Sequence, residues 1–102
     1  MRIYRGDSGI LIRSPKYPKG RLSVRPFKIG RMRLRDPFPF STSRKIAESF
    51  ARGRPDLYSE GQIPVLIVAE APKVRKTACW GMEREVIPIG TFEVKKIEVL
   101  GE

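Results

Sequence analysis

The chain predicts an α+β fold: several short strands with one clear helix. Three observations carry this. Ile63–Ala69 is a nearly continuous apolar run rich in branched residues, as a strand buried on both faces requires. Residues 14–39 contain five prolines (Pro15, Pro18, Pro26, Pro37 and Pro39), which exclude a long helix there. Helical spacing of apolar residues is clear only at Ile46, Ala47, Phe50 and Ala51. With 102 residues and 40% apolar composition, a single domain over residues 1–102 with its own core is expected.

The elements follow in order. Arg2–Arg5 and Ile10–Arg13 read as two short strands around a turn at Gly6-Asp7-Ser8-Gly9. Arg31-Met32-Arg33-Leu34-Arg35 alternates with period two, so a strand would put three arginines on one face and Met32 and Leu34 on the other. Ser41-Thr42-Ser43 offers an N-cap for the helix, and Gly53 with Pro55 stops it. Glu83 to Leu100 reads as two strands turning near Ile89-Gly90-Thr91.

Composition narrows the chemistry. There is no histidine, which excludes any mechanism using imidazole as base, acid or metal ligand. The single cysteine, Cys79, forms no internal disulfide and leaves no zinc spacing, so no metal is expected. The chain has no asparagine and one glutamine, Gln62, beside many charged residues, a composition expected of a thermophile. The longest apolar run, Val65–Ala69, is too short to span a membrane, and no apolar stretch follows the basic start, so no signal peptide is expected. The expected location is cytoplasmic, in a cell or an infected host. Charge is uneven: residues 1–54 carry 15 Lys/Arg against 3 Asp/Glu, a balance of +12, whereas residues 55–102 carry 6 against 8, a balance of −2. The first half is therefore expected to meet something anionic, whether nucleic acid, an acidic protein or a phosphorylated cofactor.

Three short features could carry chemistry: Tyr4-Arg5-Gly6, Phe40-Ser41-Thr42-Ser43 and Glu83-Arg84-Glu85. Singly, each has a plain structural reading: a solvated surface arginine, a helix cap, and the wet face of an edge strand. Their order and spacing together resemble the arginine–serine–glutamate branch of the ADP-ribosyltransferases, the group of many bacterial toxins and vertebrate ecto-transferases. In that family an arginine closes the first strand, Ser-Thr-Ser enters a helix, and Glu-x-Glu opens a late strand. Ala47-x-x-Phe50, Glu85-Val86-Ile87-Pro88 and Gly90-Thr91-Phe92-x-Val94 extend the resemblance, as does Trp80 three residues before Glu83. Two departures stand beside it: the family usually has helices where residues 14–39 are proline-rich, and this chain is short for the family. The histidine-bearing relatives are excluded.

The resemblance implies a compact split β-sandwich with an NAD cleft. It also implies a mono-ADP-ribosyltransferase, a glycosyltransferase that uses NAD as substrate, with arginine on a protein target as the acceptor. Glu85 would be the catalytic carboxylate and Glu83, on the same side of one strand, would face the acceptor arginine. Arg5 would hold the pyrophosphate, assisted by Arg52 or Arg54. Ser41, leading Thr42 and Ser43, would orient Glu85 and touch the ribose. Two readings stand for Phe50, a nicotinamide stack or core packing, and two for Trp80, an acceptor contact or packing under the terminal strands. Water as acceptor would make the same site an NAD glycohydrolase. The rival readings are a small basic nucleic-acid-binding module without catalysis, resting on the +12 half and on Arg31, Arg33 and Arg35, and a degenerate transferase fold kept for protein contacts.

Overall fold

A computed structural model describes residues 1–53 and 62–100. Within them lie β1 (Arg2–Ser14), β2 (Tyr17–Ser23), β3 (Gly30–Met32), β4 (Phe40–Ser41), α1 (Arg44–Arg52), β5 (Gln62–Glu70), β6 (Val74–Lys76), α2 (Trp80–Glu83), β7 (Glu85–Pro88) and β8 (Phe92–Val99). The strands form one antiparallel sheet in the order β3-β8-β5-β1-β4-β7-β6, with β2 paired to β1 outside that path. The class is α+β, as expected. Among the described residues no helix is long and apolar enough to cross a membrane.

Strand β5 explains the apolar run. It lies between β1 and β8, and Val65 through Ala69 are all buried. Its alternate residues serve two different cores, as a period of two dictates. Val65, Ile67 and Ala69 join Ile3, Phe40, Val86, Phe92 and Val94 on one face. Leu66 and Val68 meet Ala47 and Ala51 of α1, together with Leu100 and Tyr4, on the other. The sheet curls around the first core. Phe40 on β4 and Phe92 on β8 are separated by two strands in the sheet order, yet their rings meet edge to face at 5.8 Å. Phe27 extends this cluster, edge-on to Phe40 at 5.7 Å and to Phe38 at 5.6 Å.

Helix α1 starts as the sequence predicts. Ser43 is the N-cap in extended conformation, and its side chain accepts a hydrogen bond from the Ile46 amide at 3.3 Å. Gly53 closes the helix, its N–H donating to the Ser49 carbonyl at 2.8 Å. Pro55 and Arg54 lie outside the described residues.

Four expectations are corrected. The first two strands are one: β1 runs unbroken from Arg2 to Ser14, and its register with β5 continues through Gly6, Asp7, Ser8 and Gly9. The glycines serve close approach rather than a turn. A Cβ on Gly6 would collide with the backbone of α1 at the Ala47 carbonyl, and one on Gly9 would come within 2.8 Å of the Leu22 side chain. The arginine-rich strand is shorter than its alternation implies. Only Gly30–Met32 pairs with β8, although exposure keeps alternating through Arg35, with Met32 and Leu34 packed on the core. The final two strands turn at Gly90, φ +73°, but do not pair with each other: β7 joins β4 and β6, while β8 joins β5 and β3. Lastly, a short second helix, α2, precedes β7.

Candidate functional site

The site grows from a single ladder step. Strands β1 and β4 pair only at Tyr4↔Ser41, and β4 continues to β7 through Ser41↔Glu85. Directly opposed residues of an antiparallel pair share a face. Tyr4, Ser41 and Glu85 therefore form a row across three strands, on the side where Tyr4 packs against the α1 cluster. A cleft of about 220 Å³ opens here, lined by Tyr4, Arg5 and Gly6 of β1, Pro39, Phe40 and Ser41 at β4, Ala47 and Phe50 of α1, and Glu83 and Glu85. Five residues expected at the NAD site from three separate segments (Arg5, Ser41, Phe50, Glu83 and Glu85) thus share one cleft.

Glu83 and Glu85 reach it differently from the expectation. They do not sit on one strand. Glu83 is the last residue of α2, and Arg84 takes a left-handed conformation, φ 52°, while its N–H closes the helix on the Trp80 carbonyl at 3.0 Å. Only then does β7 begin, at Glu85. This reversal at Arg84 brings both carboxylates to the cleft. The side chains of Cys79, Glu83 and Glu85 offer ligand atoms within 4.8 Å of one another, a set that could hold a cation.

Ser41 is buried, and its hydroxyl donates to the Glu83 carbonyl at 2.8 Å while accepting from the Ser43 amide at 3.0 Å. It therefore fixes the main chain of the Glu-Arg-Glu segment. The Glu85 carboxylate is held by a residue that the sequence reading missed: Thr77 Oγ1 donates to Glu85 Oε2 at 2.7 Å. Thr77 also accepts from the Cys79 amide at 3.1 Å, and its own amide donates to the Glu85 carbonyl at 3.1 Å. No local pattern marks Thr77, because its partner is eight residues away across the β6–β7 connection.

Arg5 lies one step along β1 from the row, where the β1–β4 ladder has ended. Its Nε donates to Asp7 Oδ2 at 3.0 Å and Nη1 to the Pro39 carbonyl at 2.8 Å, with the Phe38 ring 5.1 Å from the guanidinium carbon. The side chain is largely covered, at 18% exposure. Phe50 is 42% exposed at the cleft, so the core reading is not the one the structure adopts. Thr42 does not line the cleft; its amide donates to the Arg84 carbonyl at 3.0 Å, tying the entry of α1 to the α2–β7 junction. Ser43 is the cap described above, and Arg52 is exposed at the end of α1, away from the cleft lining. Trp80 also stays outside the lining. It packs partly on the core and carries Lys76 Nζ at 4.4 Å from its ring centre and the Arg84 guanidinium at 5.5 Å.

Cys79 is exposed beside the two carboxylates, and its thiol pKa is raised chiefly by the neighbouring Glu85 carboxylate, then by burial and by Glu83. A raised thiol pKa means less thiolate at a given pH, hence slower alkylation. Removing the Glu85 charge should reverse this. In Glu85→Gln, the pH midpoint of Cys79 alkylation by iodoacetamide should move down relative to the parent protein; an unchanged midpoint would show that the thiol does not sense Glu85.

Comparison of the chain with protein-family models, with curated proteins and with solved structures finds no match in any of the three.

Proposed function

We propose that the chain is a NAD-dependent mono-ADP-ribosyltransferase working in the cleft between β1, β4, α1 and the Glu83–Glu85 segment, with a reduced split β-sandwich of the transferase type as its fold. The observation that carries this reading is the convergence of Arg5, Ser41, Phe50, Glu83 and Glu85 on one cleft.

The donor set suits one end of the dinucleotide. A cleft of about 220 Å³ has room for nicotinamide and its ribose, leaving the adenosine outside. Phe50, half exposed at the cleft, offers a ring face to nicotinamide. Arg5 uses Nε and Nη1 on Asp7 and Pro39 and is the cationic residue of the cleft lining, the group that would meet the pyrophosphate.

NAD supplies a ribose C1′ carrying a positively charged nicotinamide, which departs with the bonding pair. Glu85, held at Oε2 by Thr77, places fixed negative charge beside the ribose as positive charge spreads over its ring. Ser41 keeps that carboxylate in register through the Glu83 main chain. Glu83 takes the acceptor: a carboxylate pairs with a guanidinium in bidentate fashion, and it accepts the proton the acceptor nitrogen loses on bonding to C1′. With water as acceptor, the same residues make the protein an NAD glycohydrolase.

Calorimetric titration with NAD tests the cleft. One-site saturable binding in the micromolar to millimolar range is expected, weaker in Phe50→Ala. Absence of binding at millimolar NAD would overturn the reading.

A further inference from the structure

We infer that the β1–β2 hairpin and the segment through β3 form a docking surface for double-stranded nucleic acid, contacted through its phosphate backbone. Residues 13–35 hold nine Lys and Arg and no Asp or Glu. All nine are exposed, and among the described residues none is in an ion pair. Outside the segment Arg2 pairs with Glu70, Arg5 with Asp7, and Arg44 with Glu48 and Glu98, whereas Arg52, Arg75 and Arg84 stand between stretches that also carry acids. Of the nine, Arg31 stands opposite Glu93 in the β3–β8 register. Like charges this dense along 23 residues repel one another, and a polyanion relieves that repulsion.

The kind of polyanion follows from the side chains. Six of the nine are arginine (Arg13, Arg21, Arg25, Arg31, Arg33 and Arg35), whose planar fork matches phosphate oxygens. The two aromatics of the segment are not free to stack. Phe27 is buried, and Tyr17 is partly buried with Lys16 and Arg21 against its ring. A surface without stacking rings lacks the platform that single strands use and the aromatic anchors of a membrane interface. The exposed large apolar residues of this region are few: Ile10 and Ile12, neighbours on one face of β1, and Ile29. What remains is a two-stranded ribbon carrying Arg13, Lys16, Lys19 and Arg21, continued by a segment carrying Arg25, Lys28, Arg31, Arg33 and Arg35. A duplex groove accommodates such a ribbon, and its flanking phosphates meet the cations. The inference does not depend on NAD chemistry in the cleft.

Binding to a fluorescent DNA duplex of mixed sequence, measured against salt, tests it. If six phosphates are neutralised, affinity should fall roughly 10³-fold between about 50 and 200 mM salt. The triple variant Arg31→Gln/Arg33→Gln/Arg35→Gln should reduce the log–log salt slope by about 3. The matched control Lys45→Gln/Lys73→Gln/Arg75→Gln removes the same charge from exposed positions outside the segment, and should leave the slope nearly unchanged. Equal losses in both triples would overturn the surface in favour of overall charge. Preference for a single strand, for anionic lipid vesicles or for polyglutamate over the duplex would overturn the assigned partner.

Discussion

Glu85→Gln should release nicotinamide from NAD about 10²–10³-fold more slowly than the parent protein, the usual cost of removing one fixed electrostatic group from a reacting centre. The substitution keeps the side chain's size, and a carboxamide oxygen can still accept from Thr77 Oγ1, which now meets Glu85 Oε2 at 2.7 Å. What disappears is the negative charge that the proposed mechanism sets beside the ribose. NAD affinity should therefore change far less than turnover, because that charge matters most when positive charge develops on the sugar. Nicotinamide release in a stopped assay, paired with NAD titration of the same variant, separates the two. Equal turnover in both proteins would remove Glu85 from the chemistry, whereas a matched loss of affinity and turnover would make it a binding residue.

The largest effect on stability is expected at Gly6. An added methyl would meet the Ala47 carbonyl and come within 2.7 Å of the Ala51 amide nitrogen. Both are helix backbone, so no side-chain rotation relieves the clash. Either α1 lifts from β1 or the strand bends. Overpacking of this kind costs roughly 1–3 kcal/mol, and the backbone contact puts Gly6→Ala at the upper end, a fall in Tm of roughly 10–20 °C for a domain of this size. Gly6 and Ala47 also line the cleft, so displacement of α1 should reduce turnover as well. Gly81→Ala is the control. Nothing lies within 4 Å of its added Cβ and its φ is not in the left-handed region, so Tm should hold or rise. A thermal scan giving both variants the parent Tm would show that β1 and α1 are not packed as closely as described.

Sequence made legible those parts whose causes are local or depend on a single period. Ile63–Ala69 announced a central strand because burial on both faces demands apolar residues at every position, and Val65 through Ala69 are buried against two different cores. Ser43 announced the start of α1 because capping is a three-residue relation. Gly6 and Gly9 misled because a glycine needed for close packing looks, in sequence, like one needed for a turn; the helix that crowds Gly6 begins 38 residues later, at Arg44. The same gap hid β4 and β6. Phe40–Ser41 is a strand because it bridges β1 and β7, and Val74–Lys76 because β7 lies beside it.

The candidate site divides along the same line. Arg5, Ser41, Phe50, Glu83 and Glu85 were visible as a set through family resemblance, and they do gather in space. Their individual roles were less visible. Ser41 holds the Glu83 carbonyl and Thr77 holds the Glu85 carboxylate. Glu83 comes from a helix end turned by Arg84 rather than from the strand. The resemblance named those five together with Thr42, Ser43, Arg52 and Trp80, which do not line the cleft. Hydrogen-bond partners depended on a backbone reversal with no strong local signal, since Arg84 is not a glycine and yet takes φ 52°.

The most direct measurement is the time course of nicotinamide release from NAD by the parent protein, supplied with a small guanidine such as arginine methyl ester and, separately, with cell extract. ADP-ribosyl transfer predicts release that rises in proportion to protein and exceeds the spontaneous rate, accompanied by a product carrying ADP-ribose on the acceptor. Release equal to buffer alone under every acceptor condition, with NAD present at saturation, would contradict it.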